Sequence, residues 1–223
     1  MELIEYKDAE MMMMQLADKL ASKLNQALST HDRVSFAVPG GTTPGPVFDT
    51  LAATSLDWDR VSVMLTDERW VPESSERSNT RLLRQRLLTE KAAAARYVPL
   101  YDDCETPEEC LDRLAEGVTP ELPLSVLLLG MGTDMHIASL FPGADRLDDA
   151  LASNAPPLMA MRADGAPEPR ITLTAPVLSG AMSIHIVITG DAKRAALDKA
   201  RGLSTREAPV NVVLNDATVH WAP

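Results

Sequence analysis

The residues best suited to do chemistry stand in SVLLLGMGTDMHIASLFPG, Ser125 to Gly143. Val126 to Leu129 is a continuous apolar run, too short for an independent helix and of the kind carried by a strand covered on both faces. Gly130, Gly132 and Asp134 end that pattern, so His136 falls just beyond a strand's carboxyl end, where open α/β sheets collect ligands. A neutral imidazole titrates near physiological pH and can take a proton from water, then return it to a leaving oxygen. The alternative use of such a histidine is to cap or orient its own loop.

Four further places carry matching chemistry. Pro39-Gly40-Gly41-Thr42-Thr43-Pro44 follows a short apolar run and precedes a helical one. Backbone N–H groups and the threonine hydroxyls of such a strand-to-helix loop can converge on a phosphate, although a tight turn would use the same residues. It lacks the GxxxxGK[ST] form and is no nucleoside-triphosphate loop. Asp67, Glu68, Arg69 and Glu73 crowd another strand end, which suits either a cleft with a ligand or a solvated acidic loop. Arg170 opens a further apolar run, and Lys193 lies in the first turn of a helix capped by Asp191, where a cation opposes the helix dipole and an anion would favour it.

The elements that position these residues alternate along the chain. Leu16, Leu20, Leu24 and Leu28 make one stripe of a helix over residues 8 to 29, capped by Asp8, with Met11 to Met14 on its buried face. Strands are expected over Val34 to Val38, Arg60 to Leu65, Arg96 to Leu100, Val126 to Leu129, Leu158 to Met161, Arg170 to Leu173 and Ser183 to Ile188. Ser78-Asn79 caps a helix running through Leu87, and Pro107 to Gly117 forms another, while residues 144 to 157 read as irregular. A last short helix ends at Asn211 to Leu214, before a terminal edge strand carrying His220. His185 lies within a strand and reads as structural, and His31 as surface. No repeat or linker divides the chain, so one α/β domain with a mostly parallel sheet and helices on both faces is expected.

Composition narrows the function. A chain of 223 residues with 45% hydrophobic side chains can bury a full core, but aromatics make up only 4%, too few to stack bases. The net charge of −11 also argues against a phosphate backbone as partner. The methionine run has neither the cationic start nor the length of a signal or membrane span. Cys104 and Cys110 fit neither a metal-ligand pair nor a disulfide framework, and read as reduced thiols in a cytoplasmic protein.

Taken together, Gly40-Gly41-Thr42-Thr43-Pro44, DERWVP from Asp67 with Ser78-Asn79, GMGTDMHIASLFPG from Gly130, RITLT from Arg170 and GDAK from Gly190 occur in an order that resembles the glucosamine-6-phosphate isomerase and 6-phosphogluconolactonase superfamily, in its lactonase branch. The resemblance covers nearly the whole chain, and HxASLFPG is its most specific part. It implies a modified Rossmann-like fold, hydrolysis of 6-phosphoglucono-1,5-lactone to 6-phosphogluconate in the oxidative pentose phosphate pathway, and no metal or organic cofactor. It implies a monomer or small homo-oligomer whose partner is a small phosphosugar lactone, with neither nucleic acid nor membrane. By resemblance His136 is the general base, Gly40, Gly41 and Thr42 with Arg170 and Lys193 surround the phosphate, and Asp67 and Arg69 line the sugar. The commonest form of the motif has glycine at position 135 and threonine at 137; a positive φ at Met135 would strain it.

Lactone hydrolysis needs a water deprotonated as it attacks C1, a donor for the oxyanion and a proton for the departing ring oxygen. His136 can serve the first and last. Arg69 or backbone amides near Gly132 can serve the second. No G-x-S-x-G elbow is present, so Ser139 reads as structural. The nearest competitor is a sugar-phosphate isomerase or deaminase of the same superfamily, with Asp67 as base, against which DERWVP followed by SN argues. A non-catalytic sugar-phosphate sensor would normally carry a DNA-binding helix-turn-helix, for which there is no room before the first strand. A nicotinamide dehydrogenase lacks its third glycine.

Overall fold

The computed structural model describes residues 1–223. Its main sheet has seven strands in the order β1-β10-β9-β6-β2-β3-β5, every neighbouring pair parallel. The chain lays down β1 (Glu2–Glu5), helix α1 (Ala9–Leu28), β2 (Val34–Val38), α2 (Gly45–Ala53) and β3 (Val61–Leu65). Then come β4 (Asp67–Arg69), α3 (Asn79–Arg86), β5 (Arg96–Val98), α4 (Pro107–Val118) and β6 (Val126–Gly130). The last third holds α5 (Leu147–Leu151), β7 (Leu158–Met161), β8 (Arg170–Leu173), α6 (Ala175–Ser179), β9 (Ile184–Thr189), α7 (Asp191–Ala200) and β10 (Ala217–Ala222).

Every residue of β2 and β3 is buried, which requires cover on both sheet faces and explains why their sequences run apolar without alternation. Helix α1 supplies part of that cover through Met12, Leu16, Leu20 and Leu24, all fully buried. Asp8 caps it by accepting the N–H of Met11 at 2.8 Å. Only Met12 and Met13 of the methionine run face inward, while Met11 and Met14 are exposed, because four consecutive residues span more than one face of a helix. No helix is long and apolar enough to cross a membrane.

Several expectations require correction. Asp67 to Arg69 is not a loop but β4, the edge of a second, antiparallel sheet of order β4-β8-β7; three residues are too few for a periodic signal. His220 is interior, because β1, a four-residue strand at the chain's start, pairs outside β10. Gly190 rather than Asp191 is the N-cap of α7. Gly117 lies within α4, and residues 147–151 form the short α5 inside a segment read as irregular. Cys104 and Cys110 are joined in a disulfide with Cα atoms 6.2 Å apart, not free thiols; a six-residue separation lets the start of α4 fold back on the preceding loop.

His185 and His220 form a buried chain across β9 and β10. Tyr6 Oη is 2.7 Å from His220 Nδ1, His220 Nε2 is 3.1 Å from His185 Nδ1, and His185 Nε2 is 3.1 Å from Ser183 Oγ. Burial, with Lys19 and Lys23 of α1 nearby and only Glu2 opposing, pushes His185 down to about 4; burial and the neighbouring His185 push His220 down to about 3. Their folded values lie below those of the unfolded chain. This contribution to stability is therefore complete above about pH 6.5 and is lost as pH falls towards the folded values. Between pH 6.5 and 5, each should lower the unfolding free energy by up to about 1.4 kcal/mol per pH unit. Urea unfolding across that window should show the slope, and His220→Gln should roughly halve it; an unchanged slope would refute the account.

Candidate active site

The chain turns outward in one direction from β2 to β3 and β5, and in the other from β6 to β9 and β10. Loops leaving β2 and β6 therefore diverge, and a cleft of about 310 Å³ opens above their carboxyl ends. Gly40, Gly41, Asp67, Arg69, His136, Arg170 and Lys193 all line it. Thr42 does not: after the turn at Gly41, with φ of 82°, it is exposed and its carbonyl accepts the N–H of Gly45 at 3.2 Å. Thr43 lines the cleft in its stead.

The histidine loop is held from within. Gly132 N–H donates to the His136 carbonyl at 3.0 Å, and Met135 N–H donates to the Gly132 carbonyl at 3.0 Å. The first bond occupies the Gly132 amide and so removes it from the candidates for an oxyanion donor. His136 Nδ1 lies 2.6 Å from Asp134 Oδ1, and this bond, more than any other influence, holds the Asp134 carboxyl below its ordinary value. A proton on Nδ1 donated to that carboxylate leaves the lone pair on Nε2. The Phe141 ring, 4.4 Å away between centroids, limits the tilt of the imidazole. In the sequence Asp134 reads only as a pattern breaker, although its D-x-H spacing is the signal of an orienting partner. Gly132 is small by necessity, since a Cβ there would overlap both Asp134 Oδ1 and His136 Nδ1.

Met135 does adopt a positive φ, 68°. That conformation costs roughly 1–2 kcal/mol for an L residue. The methionine side chain is 7% exposed and joins the core, and burial of that size stabilises by about 1.5–3 kcal/mol, enough to offset the backbone. The loop thus keeps the geometry a glycine would give.

Cationic groups converge opposite. Arg69 of β4 and Arg170 of β8 are direct cross-strand partners, an arrangement that repels. Neither forms an ion pair with a carboxylate, and the Nε atoms of both are buried without a hydrogen-bond partner. Arg69 Nη1 donates to the Arg77 carbonyl at 2.7 Å. Burial lowers the Arg170 guanidinium, as does Arg69, while Asp67 acts in the other direction. Lys193 is likewise lowered by burial. Cations buried or half-buried, with spare donors and, for Arg69 and Arg170, a like-charged neighbour, suit an anionic ligand.

Asp67 is 7% exposed and its carboxylate is engaged: Ser139 Oγ donates to Oδ2 at 2.6 Å and Thr66 Oγ1 to Oδ1 at 3.2 Å. Ser139 therefore serves Asp67 and not as a nucleophile. Asn79, expected only in a helix cap, also lines the cleft; its Nδ2 donates to the Asp67 carbonyl at 3.1 Å and its amide abuts Gly40.

Residues 7–221 match the family model described as glucosamine-6-phosphate isomerases/6-phosphogluconolactonase. A 6-phosphogluconolactonase of Rhizobium meliloti is 42% identical over 216 residues, covering 93% of each chain. That of Pseudomonas aeruginosa is 39% identical over 213 residues, covering 93% of this chain and 89% of its own. The crystal structure of a 6-phosphogluconolactonase from Shewanella baltica superposes with a TM-score of 0.96 at 32% identity, covering 100% of this chain and 97% of that one. A monomeric glucosamine-6-phosphate deaminase shares the fold, with a TM-score of 0.81 at 16% identity.

A Cβ at position 40 would overlap the Asn79 side-chain amide, which is tied to the Asp67 backbone. Gly40→Ala should cost about 1–3 kcal/mol of stability, as overpacking does, and should displace Asn79 from the cleft wall. Urea unfolding with a crystal structure of the variant would test this. Wild-type stability with Asn79 unmoved would show that the loop yields instead.

Proposed function

The chain belongs to the glucosamine-6-phosphate isomerase/6-phosphogluconolactonase family, and we propose that its lactonase reaction, hydrolysis of 6-phospho-D-glucono-1,5-lactone to 6-phosphogluconate, runs on water activated by His136. The observation that carries the mechanism is the 2.6 Å contact between Asp134 Oδ1 and His136 Nδ1. With Nδ1 committed as donor, Nε2 is the base. Water attacks C1 as Nε2 removes its proton, and the carbonyl electrons move onto oxygen. The tetrahedral intermediate collapses with cleavage of the bond from C1 to the ring oxygen, which takes the proton back from Nε2 and becomes the C5 hydroxyl. The new carboxylic acid then ionises.

Arg69 is the oxyanion donor this reading favours. Its guanidinium has a buried Nε with no protein partner, whereas the Gly132 amide is already bonded. Arg170 and Lys193, with the amides of Gly40 and Gly41, receive the phosphate, which overcomes locally a net charge of −11. Asp67 orients a sugar hydroxyl. The hydroxyls on both of its oxygens make it a poor shuttle between carbons, which disfavours the isomerase or deaminase reading. A phosphorylated lactone is an anion that does not cross a bilayer unaided, so the reaction belongs in the cytoplasm, where its substrate forms.

The test is hydrolysis of freshly generated lactone, corrected for spontaneous opening. His136→Ala should lose a hundredfold or more of the enzymatic rate, roughly the contribution of a general base. Asp134→Asn and Gly132→Ala should each lower kcat about tenfold or more by releasing the imidazole. Catalysis surviving in His136→Ala would retain the lactonase and remove His136 as its base. An inactive wild type would refute the reaction itself.

A further inference from the structure

DER and Ser78-Asn79-Thr80 enclose one residue that neither the phosphate nor the lactone chemistry uses. Glu68 is fully buried, between the two cleft residues Asp67 and Arg69. No lysine or arginine pairs with its carboxylate. Instead it accepts five hydrogen bonds. Oε1 takes the N–H groups of Arg69 at 2.7 Å and Asn79 at 2.8 Å. Oε2 takes the N–H of Thr80 at 2.7 Å, the Thr80 hydroxyl at 2.7 Å and the Ser78 hydroxyl at 3.2 Å.

A buried carboxylate without a cation is an expensive way to cap a helix, since desolvating a charge costs several kcal/mol and a serine cap costs almost nothing. Ser78 already fills that role, accepting the N–H of Arg81 at 3.2 Å. Burial pushes the Glu68 carboxyl up, while its donors pull it down, so the site tolerates the charge at some cost. What the carboxylate adds is a tie between elements. It joins the backbone of β4 at Arg69 to the first turn of α3 at Asn79 and Thr80, and both Arg69 and Asn79 line the cleft. The Thr80 hydroxyl extends the tie to Tyr97 Oη at 2.7 Å, on β5.

We infer that Glu68 is a positioning residue for the reaction: its buried carboxylate sets the placement of Asp67, Arg69 and Asn79 around the sugar. An amide cannot replace it. Glutamine would turn one of the two acceptor oxygens into an NH₂ group facing N–H or O–H donors, so β4 and the start of α3 would have to separate. Arg69 would then leave the reacting carbonyl and Asp67 its sugar hydroxyl, while Asn79 would shift in the cleft wall.

This inference rests on the lactonase reading, and steady-state kinetics of Glu68→Gln beside wild type separates the two. The expected result is a KM raised about tenfold with kcat lowered by a similar factor, in protein that is folded by circular dichroism. KM is the deciding quantity, because a role confined to stability reduces the folded fraction and hence the apparent kcat, and leaves KM alone. Thr80→Val keeps the carboxylate and the Thr80 N–H but removes one donor, and should raise KM about two- to threefold. An active wild type with an unchanged KM in Glu68→Gln overturns the positioning role and leaves the reaction standing. Should Glu68→Gln fail to fold, an unchanged KM in Thr80→Val overturns it in the same way. An inactive wild type overturns both.

Discussion

The reversal of strand order between the parallel neighbours β2 and β6 is the constraint on which the rest of the site depends. These two strands are neighbours at the centre of an all-parallel sheet and are buried along nearly their whole length, so the one polar side chain between them, Ser35, spends its hydroxyl on the Glu121 carbonyl and none is left for a ligand. Their loops can open to solvent only at the strand ends, and because the strand order runs outward in opposite directions from this pair, the loops do not close over one another. The glycine loop after β2 and the histidine loop after β6 thus face each other across a gap that packing cannot fill. The small antiparallel sheet completes the gap by bringing Asp67 and Arg69 from β4 beside Arg170 from β8.

Electrostatics within that gap run against the charge of the molecule. The protein carries −11, yet the cleft holds Arg69, Arg170 and Lys193 with no carboxylate in an ion pair with any of them. The nearby surface arginines are treated differently: Arg77 pairs with Glu168, and Arg86 with Asp49. Cations left unpaired and partly desolvated suit an anion, and an anion between Arg69 and Arg170 would relieve their cross-strand repulsion. Glu68 is the reverse case, an anion satisfied wholly by N–H and O–H donors. Geometry fixed in this way does not depend on a flexible long side chain.

Backbone strain and core packing are likewise balanced at the histidine loop. Met135 holds a left-handed conformation and Ala138 another, with φ of 50°, on either side of His136. The loop keeps this shape because Gly132 and His136 bond each other's backbone, because Met135 buries its side chain, and because its carbonyl accepts the Val210 N–H at 3.0 Å.

The sequence alone determined the parallel sheet, from apolar runs alternating with amphipathic helices, and it determined where glycine and polar residues gather at strand ends, because runs such as Val126 to Leu129 end abruptly in them. It also identified seven of the residues that line the cleft, since their chemistry is unusual at a strand end. Only the tertiary structure decided what depends on distant partners. Strand β4 is three residues long and exists because β8 pairs with it, so no local period announces it. His220 became interior when β1, some two hundred residues earlier in the chain, paired outside β10. Thr42 and Thr43 are chemically alike, and the turn at Gly41 decides which faces the cleft. The joining of Cys104 to Cys110 depends on how the start of α4 turns back on the loop before it, and the capture of the α3 amides by Glu68 on the approach of α3 to β4. Local composition encodes which groups are present and the periodicity that buries them; their convergence is a property of the closed fold.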